Sequence, residues 1–198
     1  IIAGILAISK CKSIYQLMFA AIPIIFGSQQ IIEGFLRIFL QYSAYKPIKQ
    51  DLTYLYLFLA EVIWPVWIPL SILQLEKNNT LKLIQTLLVS LGIFVSGYLA
   101  FCILTFNVNP AITGSHIHYT QHYLSPYTIL KSIPYLLTTI VPFFISGFKK
   151  MWIIGLGLTA SFIIAKVFYS EFLISVWCLF AGLVSLLVYP VIRDANKV

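Results

Sequence analysis

Two amides and a carboxyl lie close together inside an apolar segment. Gln29, Gln30 and Glu33 belong to a hydrophobic run from about residue 15 to residue 42. At a rise of ~1.5 Å per residue, such a run is long enough to cross a lipid bilayer. Spacings of three and four residues place the three side chains on adjoining parts of one helix face. Because a charge at hydrocarbon depth costs ~2.5–3.5 kcal/mol or more, we expect this face to point inward, toward other helices or a watery cavity.

Arg37 provides a structural alternative for Glu33. It follows Glu33 by four residues, acid before base, which is the favoured order for an ion pair within a helix. If Arg37, one helical turn further along, neutralises the Glu33 carboxylate, the ion pair would only stabilise the helix. Without that neutralisation, the carboxylate is a candidate to hold a ligand or handle a proton. Both interpretations stay open.

A second acidic residue precedes two prolines in the third apolar segment. Proline has no N–H to offer the carbonyl one turn earlier, so Pro65 frees the carbonyl of Glu61 and Pro69 frees that of residue 65. We therefore expect this helix to be bent or loosened near its centre. Trp64 and Trp67 are too central for an interfacial aromatic belt, and we expect them to pack inside the protein or to line a cavity.

All three histidines lie in one stretch without charged residues, about Asn107–Tyr127. An extended chain would place His116 and His118 on one face, and a helix would place His118 and His122 on one face. Imidazole is the commonest metal ligand, but a third ligand would have to come from one of the two intramembrane glutamates. A lid with hydrogen-bonding histidines is the favoured interpretation, since long ordered loops are often functional.

The composition defines the class of protein. The chain is 60% hydrophobic and 10% charged, with a mean hydropathy of +0.94, which indicates an all-α, polytopic membrane helix bundle forming one domain over residues 1–198. The net charge of +7 has an ordinary explanation in cytoplasmic loops. No basic face interleaved with aromatic residues is present, so we expect no nucleic-acid partner.

The chain has three cysteines, Cys11, Cys102 and Cys178. They are too few and too far apart for a metal knuckle, and we assign no metal site.

Seven transmembrane helices are predicted. The first is short, and we expect its beginning to lie upstream of the sequence given. In chain order the helices are about Ile1–Ser9, Ile14–Tyr42, Leu52–Leu75, Leu81–Phe106, Thr128–Gly147, Met151–Tyr169 and Phe172–Ile192.

The basic residues predict the orientation of these helices. The loops on one side and the C-terminal tail carry Lys10, Lys12, Lys77, Lys82, Lys149, Lys150, Arg193 and Lys197. The other side carries Lys46, Lys49, Lys131 and Lys166, with Arg37 near it. Since Lys and Arg concentrate in cytoplasmic loops, we expect the N-terminus outside, the C-terminus in the cytoplasm and the histidine stretch facing outward.

Several short motifs occur in a characteristic order. They are Gln29-Gln30-Ile-Ile-Glu33-Gly34, Trp64-Pro65-Val66-Trp67-Ile-Pro69-Leu70, a Gly-Ser-His116-Ile segment, and Ser175-Val-Trp177-Cys178-Leu-Phe-Ala181. Together they resemble a bacterial family of small multi-spanning membrane proteins of unknown function. The resemblance implies the fold and a location in the bacterial cytoplasmic (inner) membrane, and it implies no activity. Members usually begin with a Cys-Phe-Ser segment that is absent here.

Two classes of function are consistent with these residues. The first is a small-ligand binding, sensing or transport protein, embedded in the lipid bilayer, with a polar and aromatic cavity closed by the histidine stretch. Such a pocket would suit an amphiphilic or aromatic ligand. The candidate binding residues are Gln29, Gln30, Glu33, Glu61, Trp64, Trp67, Trp177 and His116.

The second class is an intramembrane metal-assisted hydrolase. It would use Glu33 or Glu61 as the base and the three histidines as metal ligands. Such a site requires three ligands that converge within ~2.0–2.2 Å of one point. The sequence leaves open whether the protein is an enzyme and which cofactor, if any, it binds.

Overall fold

Helices make up most of the protein. In a computed structural model, residues 1–42, 46–114, 116–121, 128–148 and 150–195 are described. The structure is 82% helical, which confirms a helical bundle as the main architecture. The helices are α1 (Ile2–Ile8), α2 (Leu17–Ala20), α3 (Ile22–Leu40), α4 (Lys46–Leu57), α5 (Trp64–Leu75), α6 (Asn79–Thr105), α7 (Thr128–Ile145), α8 (Met151–Phe168), α9 (Leu173–Val184) and α10 (Val188–Ala195).

Five helical segments are long and apolar enough to cross a membrane, and they match five of the seven predicted spans. They are Ile14–Leu40, Pro47–Leu75, Asn79–Thr105, Met151–Phe168 and Ser170–Asp194. The two remaining predicted spans correspond to α1, which has 7 residues, and α7, whose apolar part is Ser132–Ile145. The count of seven spans and the orientation of the termini stay predictions. Of the basic residues behind that orientation, Lys149 and Lys197 lie outside the described residues.

Helix α3 turns its polar face inward, as predicted. Gln29 is fully buried and Glu33 is 9% exposed, whereas Phe35 and Ile38 on the opposite face are 53% and 54% exposed. This arrangement reverses the pattern of a helix on a water-soluble protein. It suits a lipid environment, because hydrocarbon solvates the apolar side chains and cannot solvate an amide or a carboxyl.

The segment between α4 and α5 departs from α-helical geometry. Residues Phe58–Ile63 form a π-helical turn, in which an N–H bonds to the carbonyl five residues earlier. Since Pro65 has no N–H, it can pair with neither the Glu61 carbonyl in an α register nor the Ala60 carbonyl in a π register. The distortion predicted at this proline is thereby confirmed.

Hydroxyl groups from neighbouring helices donate to two carbonyls of this distorted segment. The Tyr135 hydroxyl of α7 donates to the Ala60 carbonyl at 2.6 Å. The Ser96 hydroxyl of α6 donates to the Val62 carbonyl, also at 2.6 Å. A buried carbonyl without a donor is costly in lipid, so these two bonds fix the bent helix to α6 and α7.

A β-hairpin connects α6 to α7, within the stretch for which the sequence indicated a long ordered loop. Strands β1 (Val108–Thr113) and β2 (His116–Gln121) are antiparallel, with Val108 opposite Gln121 and Thr113 opposite His116. Gly114 has a φ of +59° in the connecting turn, a backbone conformation that glycine adopts without strain. The strands form because apolar residues here recur with a period of two.

The hairpin packs into the end of the bundle. Val108, Ile117 and Tyr119 are buried together with Leu36 of α3 and Tyr56 of α4. Alternate residues of β2 therefore face the helices, while His116 and His118 face the other way. The hairpin thus places one face of β2 directly over the polar face of α3.

Candidate functional site

Glu33 is held by hydroxyl groups. The Tyr119 hydroxyl of β2 donates to Glu33 Oε1 at 3.3 Å, and the hydroxyls of Tyr56 and Ser175 also lie against the carboxylate. Arg37 is exposed and acts on Glu33 through its charge. The surroundings of Glu33 therefore resemble a hydrogen-bonding site more than an intrahelical ion pair.

Glu61 is held by the same strand. It lies in the π-helical turn, 7% exposed, and its Oε1 accepts a hydrogen bond from Gln121 Nε2 at 3.0 Å. Short π-helical turns inside α-helices occur frequently at functional sites. The wider turn is what places the carboxylate toward the hairpin end of the bundle.

Strand β2 thus contacts both intramembrane carboxylates. Tyr119 and Gln121 are two residues apart, so their side chains lie on one face of the strand, ~7 Å apart along it. Glu33 and Glu61 come from different helices and converge on this face. The two carboxylates therefore face a common region, because one strand donates to each of them.

Tyr119 is well suited to act as a donor. Its ring stacks on that of Tyr56, with centroids 5.2 Å apart and planes 12° apart. Burial, and next the charge of Glu33, raise the pKa of Tyr119 far above its ordinary value. The hydroxyl consequently stays protonated and donates a hydrogen bond to the carboxylate.

Gln29 belongs to an aromatic arrangement one turn before Glu33. The Trp64 Nε1–H donates to Gln29 Oε1 at 3.2 Å, and the Trp64 ring stacks on Phe26 at 3.9 Å. The buried Gln29 Nε2, Gln30 Nε2 and Trp177 Nε1 have no hydrogen-bond partner among the described residues. Because nearly all buried donors in proteins are satisfied, these three N–H-bearing groups are exceptions.

A small apolar cavity lies beside this arrangement. Its volume is about 20 Å³, and its lining includes Phe26, Trp64, Tyr135, Trp177 and Cys178. Such a volume holds one water molecule and no larger ligand. This space gives the expected polar and aromatic cavity no support, for two reasons. Its lining is apolar and excludes the three polar residues of α3, and the Glu33 carboxylate itself is covered by Tyr119.

Trp67 does not line this cavity, and its ring packs against the core of the bundle. Its Nε1–H donates to the Met18 carbonyl of α2 at 3.0 Å. That carbonyl is near the end of the bundle opposite the hairpin. Trp67 therefore joins α2 to α5, whereas Trp64 and Trp177 line the small apolar cavity.

The histidines give the metal-assisted hydrolase no support. The His116 ring lies 5.2 Å from Phe172 and 5.4 Å from Tyr169, and the His118 ring lies 6.2 Å from Phe172. These rings are on the face of β2 that points away from the two carboxylates. Within the described ranges, no three His, Cys, Asp or Glu side chains are placed to hold a metal. His122 lies outside the described residues.

Four residues of the site were missed by sequence reasoning: Tyr56, Tyr119, Gln121 and Ser175. The alternation of Ile117, Tyr119 and Gln121 with polar residues was an available signal for a strand with one buried face. No comparable signal marks Tyr56 or Ser175, because a polar residue in an apolar helix has many possible partners.

The fold and the site together define a class of protein. Helices of membrane-spanning length and composition that bury two carboxylates make this an integral membrane helix bundle. Residues 1–198 match the model of a family of unknown function, DUF6629, and the chain belongs to that family. No curated protein and no solved structure matches the chain at a significant level. The resemblance to an uncharacterised family is thereby confirmed, and the family assigns no activity.

Proposed function

We propose that this protein binds a small ligand within the membrane, for sensing or transport, and that the β-hairpin is the lid of the binding site. In this proposal Glu33 and Glu61 hold the polar part of the ligand. The observation that carries the proposal is that one strand donates a hydrogen bond to each of two intramembrane carboxylates. A bundle that needed only stability would gain more from apolar residues at these positions.

The hairpin has the properties of a segment that can open. Among the described residues its two strands form a two-stranded sheet, and a two-stranded hairpin is marginally stable in isolation. Four of the six residues of β1 are exposed, namely Asn109, Ala111, Ile112 and Thr113. Segments with few buried contacts open locally at a lower free energy than the whole protein unfolds. Opening would expose both carboxylates without disturbing the helices.

Aromatic side chains beside the carboxylates suit an amphiphilic or aromatic ligand. Cys178 packs in the same cluster as Tyr56 and Tyr119 and also lines the aromatic cavity. It therefore separates the carboxylate site from the rings of Trp64 and Trp177. Once the lid moves, a ligand anchored at Glu33 would find apolar surface directly behind it. The cavity at its present volume does not admit such a ligand, so the proposal requires opening.

The proposal also includes the location and the orientation of the protein in the membrane. We place the protein in the cytoplasmic membrane of a bacterium, with the hairpin outside and the C-terminus in the cytoplasm. The support is the excess of basic residues at the end of the bundle opposite the hairpin. The lipid bilayer is then the main partner of the exposed apolar side chains.

A ligand screen with matched variants tests the proposal. Purified protein in detergent is exposed to amphiphilic and aromatic amines, alcohols and acids, and thermal unfolding is recorded. We expect stabilisation of the wild type that is lost in Glu33→Gln and kept in Glu171→Gln, which changes an exposed carboxylate. Glu33→Gln itself should stay folded with little loss of stability, because the amide oxygen can still accept from Tyr119.

Hydrogen exchange tests the lid separately. Amides of β1 and β2 should exchange through local opening, well before the amides of α6. The proposal fails if no compound stabilises the protein and the hairpin amides exchange as slowly as those of α6. It also fails if Glu33→Gln unfolds the protein, since that result would make Glu33 a structural residue.

A further inference from the structure

We propose that the turn between α8 and α9 is a latch that keeps the β-hairpin closed over the two carboxylates. The latch consists of the rings of Tyr169 and Phe172, which contact the two histidines on the outer face of β2. This inference rests on the proposed function, because it takes the hairpin as the lid of the site. It adds the element that controls how easily the lid opens.

The backbone of the turn places both latch rings on one side. The Phe172 N–H donates to the Tyr169 carbonyl at 2.9 Å, and Ser170–Phe172 form a single 3₁₀-helical turn. Side chains three residues apart eclipse in 3₁₀ geometry, so the two rings lie next to each other. Helix α8 ends at Phe168 and α9 begins at Leu173. Because the turn is this short, the two helices fix the position of its rings.

The latch rings contact both histidines of β2. The centroid of the His116 ring lies 5.2 Å from that of Phe172 and 5.4 Å from that of Tyr169. The His118 ring lies 6.2 Å from the Phe172 ring. Favourable ring pairs have centroids ~4.5–7 Å apart. One face of β2 bonds to the carboxylates and the other packs on the latch, so lifting the hairpin requires these ring contacts to separate.

The start of α9 connects the latch to the carboxylate site. Ser175 lies against Glu33 and follows Phe172 by three residues, which is about one helical turn. Ile174 packs against the buried cluster that includes Tyr119 of the hairpin. The same short segment thus contacts the outer face of the hairpin, the cluster beneath it and the carboxylate. The latch therefore closes the lid at the site itself.

Imidazole rings suit a contact that has to open. His116 and His118 are partly exposed, and water can hydrogen-bond to their ring nitrogens in the closed and the open state. Separating such a ring from a phenyl ring exposes less purely apolar surface than separating two hydrocarbon rings. The contact consequently stabilises the closed hairpin and still allows it to open.

Hydrogen exchange of latch variants tests the inference. The amides of β1 and β2 are followed at constant pH in the purified chain in detergent, for the wild type, Phe172→Ala, His116→Ala and the double variant. We expect exchange of the hairpin amides to be about tenfold faster in each single variant, with the amides of α6 unchanged. The two effects should not add in the double variant, because either substitution alone removes the contact between the two rings.

Two further variants serve as matched controls. His116→Phe keeps a ring against the latch, so its hairpin should exchange no faster than that of the wild type. Phe168→Ala removes a ring that is 74% exposed at the end of α8, and it should leave the exchange of the hairpin unchanged. Unchanged exchange in Phe172→Ala, an equal acceleration in α6, or additive effects in the double variant would overturn the inference.

The ligand screen with Glu33→Gln separates this inference from the proposed function. If a ligand depends on Glu33 and the latch variants leave the exchange of the hairpin unchanged, the latch fails and the proposed function stands. If Glu33→Gln unfolds the protein while the latch variants exchange as expected, the proposed function fails and the latch stands.

Discussion

Gly92 of α6 lies directly against the backbone of Pro65 in α5. A Cβ atom added at Gly92 would stand 2.7 Å from the Pro65 carbonyl carbon and closer still to its oxygen. Pro69 has no N–H to offer that carbonyl, so the oxygen is free to face the neighbouring helix. Glycine is what allows the two backbones to approach each other, as small residues do at helix contacts in membranes.

Gly92→Ala is therefore expected to destabilise the protein. The obstacle is backbone, which cannot rotate away, and overpacking of this kind costs about 1–3 kcal/mol. Gly97→Ala is the matched control on the same helix, since nothing lies within 4 Å of a Cβ there. It should be neutral or slightly stabilising, because alanine favours a helix over glycine. Unfolding of both variants in detergent measures the difference, and equal behaviour of the two would contradict the close approach.

Ser96→Ala should weaken the attachment of α6 to the bent helix. The variant removes the hydroxyl that donates to the Val62 carbonyl at 2.6 Å, with an expected loss of about 1 kcal/mol. Ser90 on the same helix is exposed and donates to the Thr86 carbonyl of its own helix, so Ser90→Ala should change little. Thermal unfolding compares the two variants. A Ser90→Ala loss as large as that of Ser96→Ala would argue against a specific role for the carbonyl of Val62.

Glu76→Gln should destabilise the end of the bundle opposite the hairpin. Glu76 is 5% exposed. Its carboxylate accepts from the Lys77 and Asn78 amides at 3.0 and 3.2 Å and from the Gly147 amide at 2.8 Å. A carboxamide would turn an NH2 group toward one of these donors. We expect a loss of about 1.5–3 kcal/mol, since bonds to a charged group are involved. Glu171→Gln, on an exposed residue, serves as the control in the same unfolding assay.

Cysteine labelling should distinguish the three thiols. Cys102 and Cys178 are buried, whereas Cys11 is partly exposed and its thiol donates to the Ala7 carbonyl at 3.4 Å. A maleimide should therefore label Cys11 first, and the other two mainly after unfolding in SDS. Mass spectrometry of the labelled peptides measures the order, and labelling of Cys102 as fast as that of Cys11 would contradict the packing described.

The pH dependence of that labelling has a definite sign. Burial raises the pKa of the Cys11 thiol above its ordinary value, and the thiolate is the form that reacts. The labelling rate at neutral pH should thus be lower than that of a cysteine in an unfolded peptide. It should continue to rise with pH after the rate for the peptide has levelled. A Cys11 rate that levels at or below the pH found for the peptide would contradict this.

The helical class and the inward face of α3 follow from the sequence alone. Long apolar runs have few ways to satisfy their backbone in lipid, so length and composition nearly specify a helix bundle. The direction of Gln29 and Glu33 follows from the high free energy of a polar group among acyl chains. The distortion at Pro65 follows from the missing N–H. Each of these properties depends on a residue and its near neighbours in the chain.

The partners of the two carboxylates were decided by tertiary structure. Tyr119 is 86 residues from Glu33, and Gln121 is 60 residues from Glu61. Nothing in the sequence selects these donors over the histidines beside them, because a strand shifted by one residue would turn the opposite set inward. Packing of Val108 and Ile117 against the helices fixes that register. The sequence determined which polar groups lie inside the membrane. Only the packing of the hairpin decided which side chains meet those groups, because the strand register sets the direction of each side chain.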